Sequence, residues 1–240
     1  MLGRIQTLHA NLMKQKYIPQ DCGGEMTAKG VAVLVVVVLV FVCGAMAQDA
    51  SNRVNQASVT GGRFFVSTQS IVNETSPNDN DPRIHFGNPG SFAFNYGRLL
   101  ANFRIFGLYA ELPVAIYPRM DLNTYANQIP KDIGAVFITP SVRVNMFAND
   151  SVTPWVSVGG GYGRFRESSD LNFSGHNPGA TGTNTGVVQF GAGLDVWFWH
   201  RWGARFEARD FYSGLPDYDV DTSVSRQHNY YVGAGVMHRF

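Results

Sequence analysis

The segment 230–240 constrains the fold of this chain more than any other stretch. Its side chains alternate in type: one set is Tyr230, Val232, Ala234, Val236, His238 and Phe240, and the other is Tyr231, Gly233, Gly235, Met237 and Arg239. Successive side chains of a β-strand point to opposite faces. The segment therefore predicts a strand with one mainly apolar face and one small or charged face. It ends on an aromatic residue of the apolar face.

The same alternation recurs from Ser58 onward and predicts an all-β fold. Eight strands are expected, over 58–70, 91–100, 107–117, 135–146, 152–165, 186–199, 203–213 and 230–240. Pro113, Pro140 and Pro154 fall inside these runs. Because proline removes a ladder hydrogen bond, bulges or shifted boundaries are expected at these positions. No linker or internal repeat divides the region, so it is interpreted as one domain.

The predicted connections alternate in length. Long connections rich in Asn, Asp, Ser, Gly and Pro follow the first, third, fifth and seventh strands, whereas those near 101–106, 147–151 and 200–202 are short. Antiparallel barrels of outer membranes have long loops at one end and short turns at the other. A soluble barrel has no reason to follow that rule.

The charged face of the strands decides which side points inward. It carries Arg63, Glu111, Arg143, Asp195, Arg205, Glu207, Arg209 and Arg239, interspersed with glycines. After residue 47 the only lysine is Lys131, although water-facing surfaces are usually rich in lysine. These charges are therefore predicted to pair inside a narrow lumen, with the apolar set facing lipid. The fold class is an eight-stranded antiparallel up-and-down transmembrane β-barrel; a soluble barrel of the lipocalin type would have the opposite polarity.

Aromatic residues cluster near the predicted strand ends. Toward the short turns lie Phe103, Phe106, Trp197, Trp199, Trp202 and Phe240, and toward the long loops lie Tyr117, Tyr212 and Tyr230. This distribution predicts two girdles at the membrane interfaces.

The first part of the chain has the pattern of an export signal. Lys29 precedes the apolar run 31–42, and the small-x-small end 45–47 follows it. These three parts predict a secretory signal peptide cleaved after Ala47. A membrane anchor is the alternative, but the run is shorter than the roughly 20 residues that a spanning helix needs. The expected organisation is an N-terminal extension plus signal over 1–47, a short segment 48–57, and a barrel domain 58–240. Met26 is hypothesised to be the true translation start.

Composition excludes several functions. Cys22 and Cys43 both precede the predicted cleavage site, so no disulfide or cysteine metal site is expected in the remainder. The formal net charge of +1 gives no electrostatic footprint for nucleic acid. No cofactor is expected.

Taken together, the signal, the eight alternating strands, the loop asymmetry and the terminal Phe240 resemble the small outer-membrane β-barrel family of diderm bacteria, the OmpA/OmpX-like barrels. The segments 182–195 and 209–214 look typical of it too. The resemblance implies a bacterial outer-membrane location with membrane lipid as a partner. It also implies recognition by the barrel-assembly machinery through the closing strand, whose apolar face includes Tyr230, Val232, Val236 and Phe240.

Two constellations carry possible chemistry. Asp210, Ser213 and His228 lie near the outer ends of the last two strands and contain the residue types of a hydrolytic triad. Asp217, Asp219 and Asp221 resemble the first half of a calcium loop, but Thr222 replaces the required glycine and His228 the required glutamate. The histidines have no metal-ligand spacing, and no metal site is predicted.

Eight strands leave an interior that side chains just fill, so a lumen plugged by arginines and carboxylates is expected. The favoured function is a non-enzymatic barrel with a structural or surface-interaction role through its outer loops. A small porin-like solute channel is the alternative, and a lipid-modifying enzyme using the Asp210, Ser213 and His228 set is the third possibility.

Overall fold

The computed structural model describes residues 55–72, 83–103, 105–124, 128–147 and 150–240, and the predictions made for 1–54 lie outside that range. The strands are β1 (Asn55–Val66), β2 (Gln69–Ser70), β3 (Arg83–Phe86), β4 (Gly90–Asn102), β5 (Phe106–Asn123), β6 (Asp132–Ile138), β7 (Ser141–Met146), β8 (Val152–Glu167), β9 (Thr183–Trp197), β10 (Trp202–Gly214) and β11 (Arg226–Arg239). Within the described residues, no helix is long and apolar enough to cross a membrane.

The strands form a closed antiparallel ring. Its order is β1, β4, β5, then β6 and β7 as two parts of one barrel strand, followed by β8, β9, β10 and β11. The last strand pairs with the first from Gln56 opposite Arg239 to Val66 opposite Asn229. Strands β2 and β3 are short and lie in the connection between β1 and β4. The predicted eight-stranded antiparallel barrel is therefore confirmed.

The two ends of the barrel differ. The described parts of the connections 67–89 and 124–131 lie at one end with the connections 168–182 and 215–225, and this end is here called the outer end. The short turns 103–105, 147–151 and 198–201 lie at the other, where the backbone N–H of Phe240 donates to the carbonyl of Asn55 at 2.9 Å. The connection 124–131 is shorter than predicted because β5 continues to Asn123 and β6 begins at Asp132, beyond the predicted strand ends.

A break in one barrel strand explains two of the unexpected prolines. The fourth predicted strand is divided at Thr139 and Pro140, between β6 and β7. Pro113 of β5 faces the break, and its carbonyl accepts a hydrogen bond from the N–H of Thr139 at 3.2 Å. Neither proline has an N–H to give to the ladder. The neighbouring strand needs a glycine there, because a Cβ on Gly161 of β8 would lie 2.1 Å from the carbonyl oxygen of Ile138.

The wall has the polarity predicted for a membrane. Residues facing outward are apolar and exposed, for example Phe92, Phe94, Val158, Phe206 and Val236. Those facing inward over the inner half are polar and buried, including Gln56, Ser58, Glu111, Asn145 and Asp195. An apolar exterior around a polar interior is the inverse of a soluble barrel. This wall is that of a transmembrane β-barrel, the class of protein in which strands span the bilayer.

Candidate functional site

A network of three arginines and three carboxylates fills the inner half of the lumen. Its members are Glu111 (β5), Arg143 (β7), Asp195 (β9), and Arg205, Glu207 and Arg209 (β10). All six are buried, and their formal charges cancel. Buried charges are tolerated only when they are paired and hydrogen-bonded, and the alternation of the strands brings these groups from four strands into mutual contact.

Glu111 lies at the centre of this network. Its Oε1 is 3.1 Å from Nη1 of Arg205 and 3.5 Å from Nη1 of Arg143, and its Oε2 accepts a hydrogen bond from Nη2 of Arg209 at 3.0 Å. One carboxylate thus offsets part of the charge of all three arginines. The other two acids bind arginines at opposite sides of the network: Asp195 pairs with Arg205 and Glu207 with Arg209.

Asp195 holds the side of the network next to Trp155. Nε and Nη2 of Arg205 donate to its two carboxylate oxygens, each at 2.8 Å, which is the bidentate geometry that arginine favours. The indole N–H of Trp155 donates to Oδ1 of Asp195 at 3.0 Å. The guanidinium carbons of Arg143, Arg205 and Arg209 lie 5.0–5.7 Å from the ring of Trp155. Cation–π attraction therefore adds to the ion pairs.

Glu207 connects the network to uncharged polar groups. It accepts from Nε of Arg209 at 2.8 Å, from Nδ2 of Asn95 at 3.2 Å and from the hydroxyl of Thr60. The hydroxyls of Thr60 and Tyr231 are 2.8 Å apart. On the opposite side, Arg143 donates to Oε1 of Gln56 at 2.7 Å. The buried charges are thus hydrogen-bonded to further polar side chains of the wall.

The outer half of the lumen is filled mainly by aromatic rings, which the sequence analysis did not predict. Fully buried rings fill it: Phe64, Tyr117, Phe137, Phe165, Phe211 and Tyr231. Phe137 and Phe211 stack with centroids 5.0 Å apart, and Phe64 lies 4.8 Å from Tyr117. Residues from the outer connections, among them Ile84, Ile129 and Tyr218, are buried in the same cluster. We call this group the aromatic plug.

Two of the predicted lumen charges lie elsewhere. Arg63 is exposed on the outer face of β1 and donates to the carbonyl of Asn88 at 3.2 Å, so its assignment to the lumen was wrong. The inward face of β1 is set by Gln56, Ser58 and Thr60, and position 63 has the opposite parity. Arg239 lies at the inner mouth, with its guanidinium carbon 4.0 Å from the ring centroid of Trp197.

The proposed triad is not assembled. Nδ1 of His228 lies 2.7 Å from Oδ2 of Asp210 on the outer face of the wall, beside the rings of Tyr212 and Tyr230. Ser213 faces the lumen, is fully buried, and hydrogen-bonds to Asn229 and to the carbonyl of Gly214. Side chains at 210 and 213 have opposite parity on β10, so the strand itself separates the acid from the nucleophile.

The aromatic girdles are partly as predicted. Phe103, Phe106, Trp199, Trp202 and Phe240 are exposed at the short-turn end, and Tyr230 is exposed near the outer end. Two assignments were wrong. Trp197 turns inward under Arg239, and Tyr117 is fully buried in the aromatic plug.

Carboxylates gather where the connections 168–182 and 215–225 meet. The N–H of Asp217 donates to Oε1 of Glu167 at 3.1 Å, and the carboxylate of Asp217 accepts from the N–H groups of Ala180 and Asp219. Burial, then the charges of Asp217 and Glu167, raise the pKa of Asp219 above its usual 3.8. Among the described residues, no group of three or more His, Cys, Asp or Glu is arranged to hold a metal ion.

Replacing Asp219 by Asn is expected to stabilise the connection 215–225 near neutral pH. Because the pKa of Asp219 is higher in the folded than in the unfolded protein, its protonated form favours folding. This contribution to stability is fully present below about pH 3.8. It is lost as the pH rises through the folded-state pKa. Asn keeps the shape and tolerates the φ of 60° at this position. Limited proteolysis at pH 7.5 should be slowed roughly twofold, since a solvated carboxylate contributes only a fraction of a kcal/mol.

The same assay at acid pH provides the check. Wild type and Asp219→Asn should become similar as the pH falls, and Asp221→Asn, at an exposed position of the same connection, should have a smaller effect at pH 7.5. Faster cleavage of Asp219→Asn at pH 7.5 contradicts the electrostatic account.

The fold and the interior define a small transmembrane-type β-barrel with a filled lumen. No protein-family model and no curated protein matches the sequence. Among solved structures, Neisserial surface protein A is 13% identical with a TM-score of 0.47, covering 78% of this chain and 97% of that one. The outer membrane protein OprG from Pseudomonas aeruginosa is 11% identical with a TM-score of 0.48, covering 78% and 96%.

The attachment invasion locus protein of Yersinia pestis is 16% identical with a TM-score of 0.41, covering 78% of this chain and 99% of that one. The expected resemblance to small outer-membrane barrels is confirmed by the closed eight-stranded ring and its polarity. The assignment of this chain to the transmembrane-type β-barrels rests on its own strand pairing and polarity.

Proposed function

We propose that this protein is an integral outer-membrane barrel with a closed lumen, and that it acts as a structural or surface-interaction protein through its outer connections. The observation that carries the proposal is the double closure of the interior. The charge network occupies the inner half and the aromatic plug the outer half. A solute path requires both to open, so this arrangement favours a non-conducting barrel over a small pore.

The outward face supports the membrane location. Large apolar side chains such as Phe92, Phe94, Val158 and Phe190 are about half exposed or more. Leaving so much apolar surface in water is unfavourable by roughly 25 cal/mol per Å², and lipid removes that cost. Tyr230, Val232, Val236 and Phe240 lie exposed on one face of the closing strand, where the barrel-assembly machinery could read them during insertion.

The three residues of the candidate triad do not meet. The pair formed by His228 and Asp210 lies on the lipid-facing side of the wall, and Ser213 lies on the lumen side. We therefore propose a protein without catalytic activity, whose contacts with other molecules are made by the connections 67–89, 124–131, 168–182 and 215–225.

Conductance in planar bilayers tests the closed lumen. We expect the purified protein to show no discrete conductance steps above the bilayer baseline, whereas a water-filled porin in the same bilayer gives them. Insertion is checked in parallel by heat-modifiable gel migration: a folded barrel migrates differently before and after boiling. Steps from an inserted, heat-modifiable protein would establish the small-pore alternative, and a soluble protein without a heat shift would overturn the membrane assignment.

A further inference from the structure

The outward side chains of β8 change character along the strand. Starting from the short-turn end, the sequence of outward residues is Val152, Pro154, Val156, Val158, Gly160, Tyr162, Arg164 and Arg166. Aliphatic residues belong in the hydrocarbon, tyrosines at its edge, and arginines among headgroups. The boundary of the apolar layer on this wall therefore falls near Tyr162. Arg164 and Arg166 lie immediately beyond it.

A cavity of about 400 Å³ opens beside Arg166. It lies between the outer parts of β5, β6 and β8 and the connection 168–182. Its lining combines hydroxyl and guanidinium groups with backbone and two carboxylates: Pro118, Arg119, Asp132, Gly134, Arg166, Glu167, Ser168, Ser169 and Thr181. The floor is backbone because a Cβ on Gly134 would lie 2.6 Å from the carbonyl oxygen of Pro118. Hydroxyls and guanidinium groups are the donors that bind phosphate oxygens.

The charges around the cavity are unevenly paired. Arg119 is bound by Asp121 at 3.1 Å and by Asp132 at 3.2 Å. Glu167 also lines the cavity, but its carboxylate is buried and accepts the N–H of Asp217. In the part of the chain that the structure describes, no ion pair joins Arg164 or Arg166 to an acid. Both are exposed, so their guanidinium groups remain available to an anion.

We propose that Arg164 and Arg166, with the hydroxyls of the adjoining cavity, bind a phosphate group of a lipid headgroup in the outer leaflet. The depth order on β8 is the reason to assign the phosphate to a lipid: a headgroup whose acyl chains run beside Val156 and Val158 presents its phosphate at the level of the two arginines. The cavity volume exceeds what a single phosphate needs, which suits a phosphorylated sugar. This inference rests on the membrane location proposed above.

Retention of lipid by the whole protein tests the proposal. The protein is released from dodecyl maltoside micelles containing diphosphoryl lipid A or monophosphoryl lipid A, and the bound lipid is counted by native mass spectrometry. We expect the wild type to retain the diphosphoryl form, and the double variant Arg164→Gln, Arg166→Gln to bind it roughly tenfold more weakly, the effect of losing two charge-assisted contacts. The matched control is Arg201→Gln, an exposed arginine at the short-turn end, which should leave retention unchanged.

Further arms separate the explanations. Equal retention by wild type and double variant, or an equal loss in Arg201→Gln, overturns the site. Full displacement of the lipid by millimolar inorganic phosphate assigns the arginines to free phosphate and overturns the headgroup assignment. Heat-modifiable migration of every variant reports insertion: if the wild type lacks it, the proposed function fails together with this inference. If it is present but the diphosphoryl form is not favoured, this inference alone fails.

Discussion

Replacement of Glu111 by Gln is expected to lower the free energy of unfolding of the inserted barrel by about 3 kcal/mol. Glu111 contacts Arg143, Arg205 and Arg209, and its removal leaves three buried arginines facing two carboxylates. Breaking a buried ion pair costs about 3–5 kcal/mol because the remaining charge stays buried without compensation. Gln keeps one acceptor oxygen, so the lower end of that range applies. Equilibrium unfolding in urea from lipid vesicles gives the value.

Two further variants show whether charge is the cause. Glu111→Gln combined with Arg209→Gln restores a balanced network and should recover part of the loss, as a double-mutant cycle detects. Asp132→Asn removes one of the two acidic partners of Arg119, which is exposed, and should cost less than about 1 kcal/mol. A loss below 1 kcal/mol for Glu111→Gln itself contradicts the central role assigned to this carboxylate.

Strand alternation correctly predicts most residues that face the lumen. The wrong assignment of Arg63 was made from its charge, against the alternation of its strand. Glu111, Arg143, Asp195, Arg205, Glu207 and Arg209 have the parity of their strands' inward faces. Arg63 does not, since Ser58 and Thr60 fix the inward face of β1. The same rule separates Asp210 from Ser213. Parity carries more information than residue type because a one-residue offset moves a side chain to the other face of the sheet.

Strand alternation also predicts that residues of the aromatic plug point inward, whereas their residue type does not. Phe211 follows Arg209 at the same parity, and Phe137 shares the parity of Arg143. The sequence analysis expected a lumen filled by charged side chains and assigned neither ring to it. No local sequence pattern predicts which rings contact each other. Phe64, Phe137 and Phe211 come from three strands far apart in sequence and contact only when the barrel closes.

The two filled halves of the lumen hold the barrel in different ways. The inner network depends on matched charges from separate strands, so each member is costly to remove singly. The aromatic plug depends on shape and apolar burial, and it joins residues of the outer connections to the wall. Buried residues such as Ile84, Ile129 and Tyr218 therefore fix three of the four outer connections to the lumen. An interaction surface built on them has a rigid base, which suits binding without large rearrangement.

Replacement of Phe137 by Ala is expected to destabilise the barrel by about 3–5 kcal/mol, the cost of removing a fully buried Phe. Phe137 is fully buried, stacks on Phe211 at 5.0 Å and lies 5.8 Å from Phe165, so the cavity left behind is lined by rings on several sides. The substitution removes the contacts of the Phe137 ring with Phe211 of β10 and Phe165 of β8. Urea unfolding from vesicles measures the loss, and Phe173→Ala, an exposed phenylalanine of the connection 168–182, should change the value by less than about 0.5 kcal/mol.

The same variant also tests the role of the plug in closing the lumen. The charge network beneath Phe137 keeps its ion pairs in Phe137→Ala, so we expect this variant to remain non-conducting in planar bilayers. Combined with Glu111→Gln it weakens both closures, and brief conductance steps are then expected because a path needs both halves to open. Steady conductance from Phe137→Ala alone contradicts the double closure and assigns the block to the aromatic plug. A loss of stability equal to that of Phe173→Ala contradicts the burial of the ring on which the plug depends.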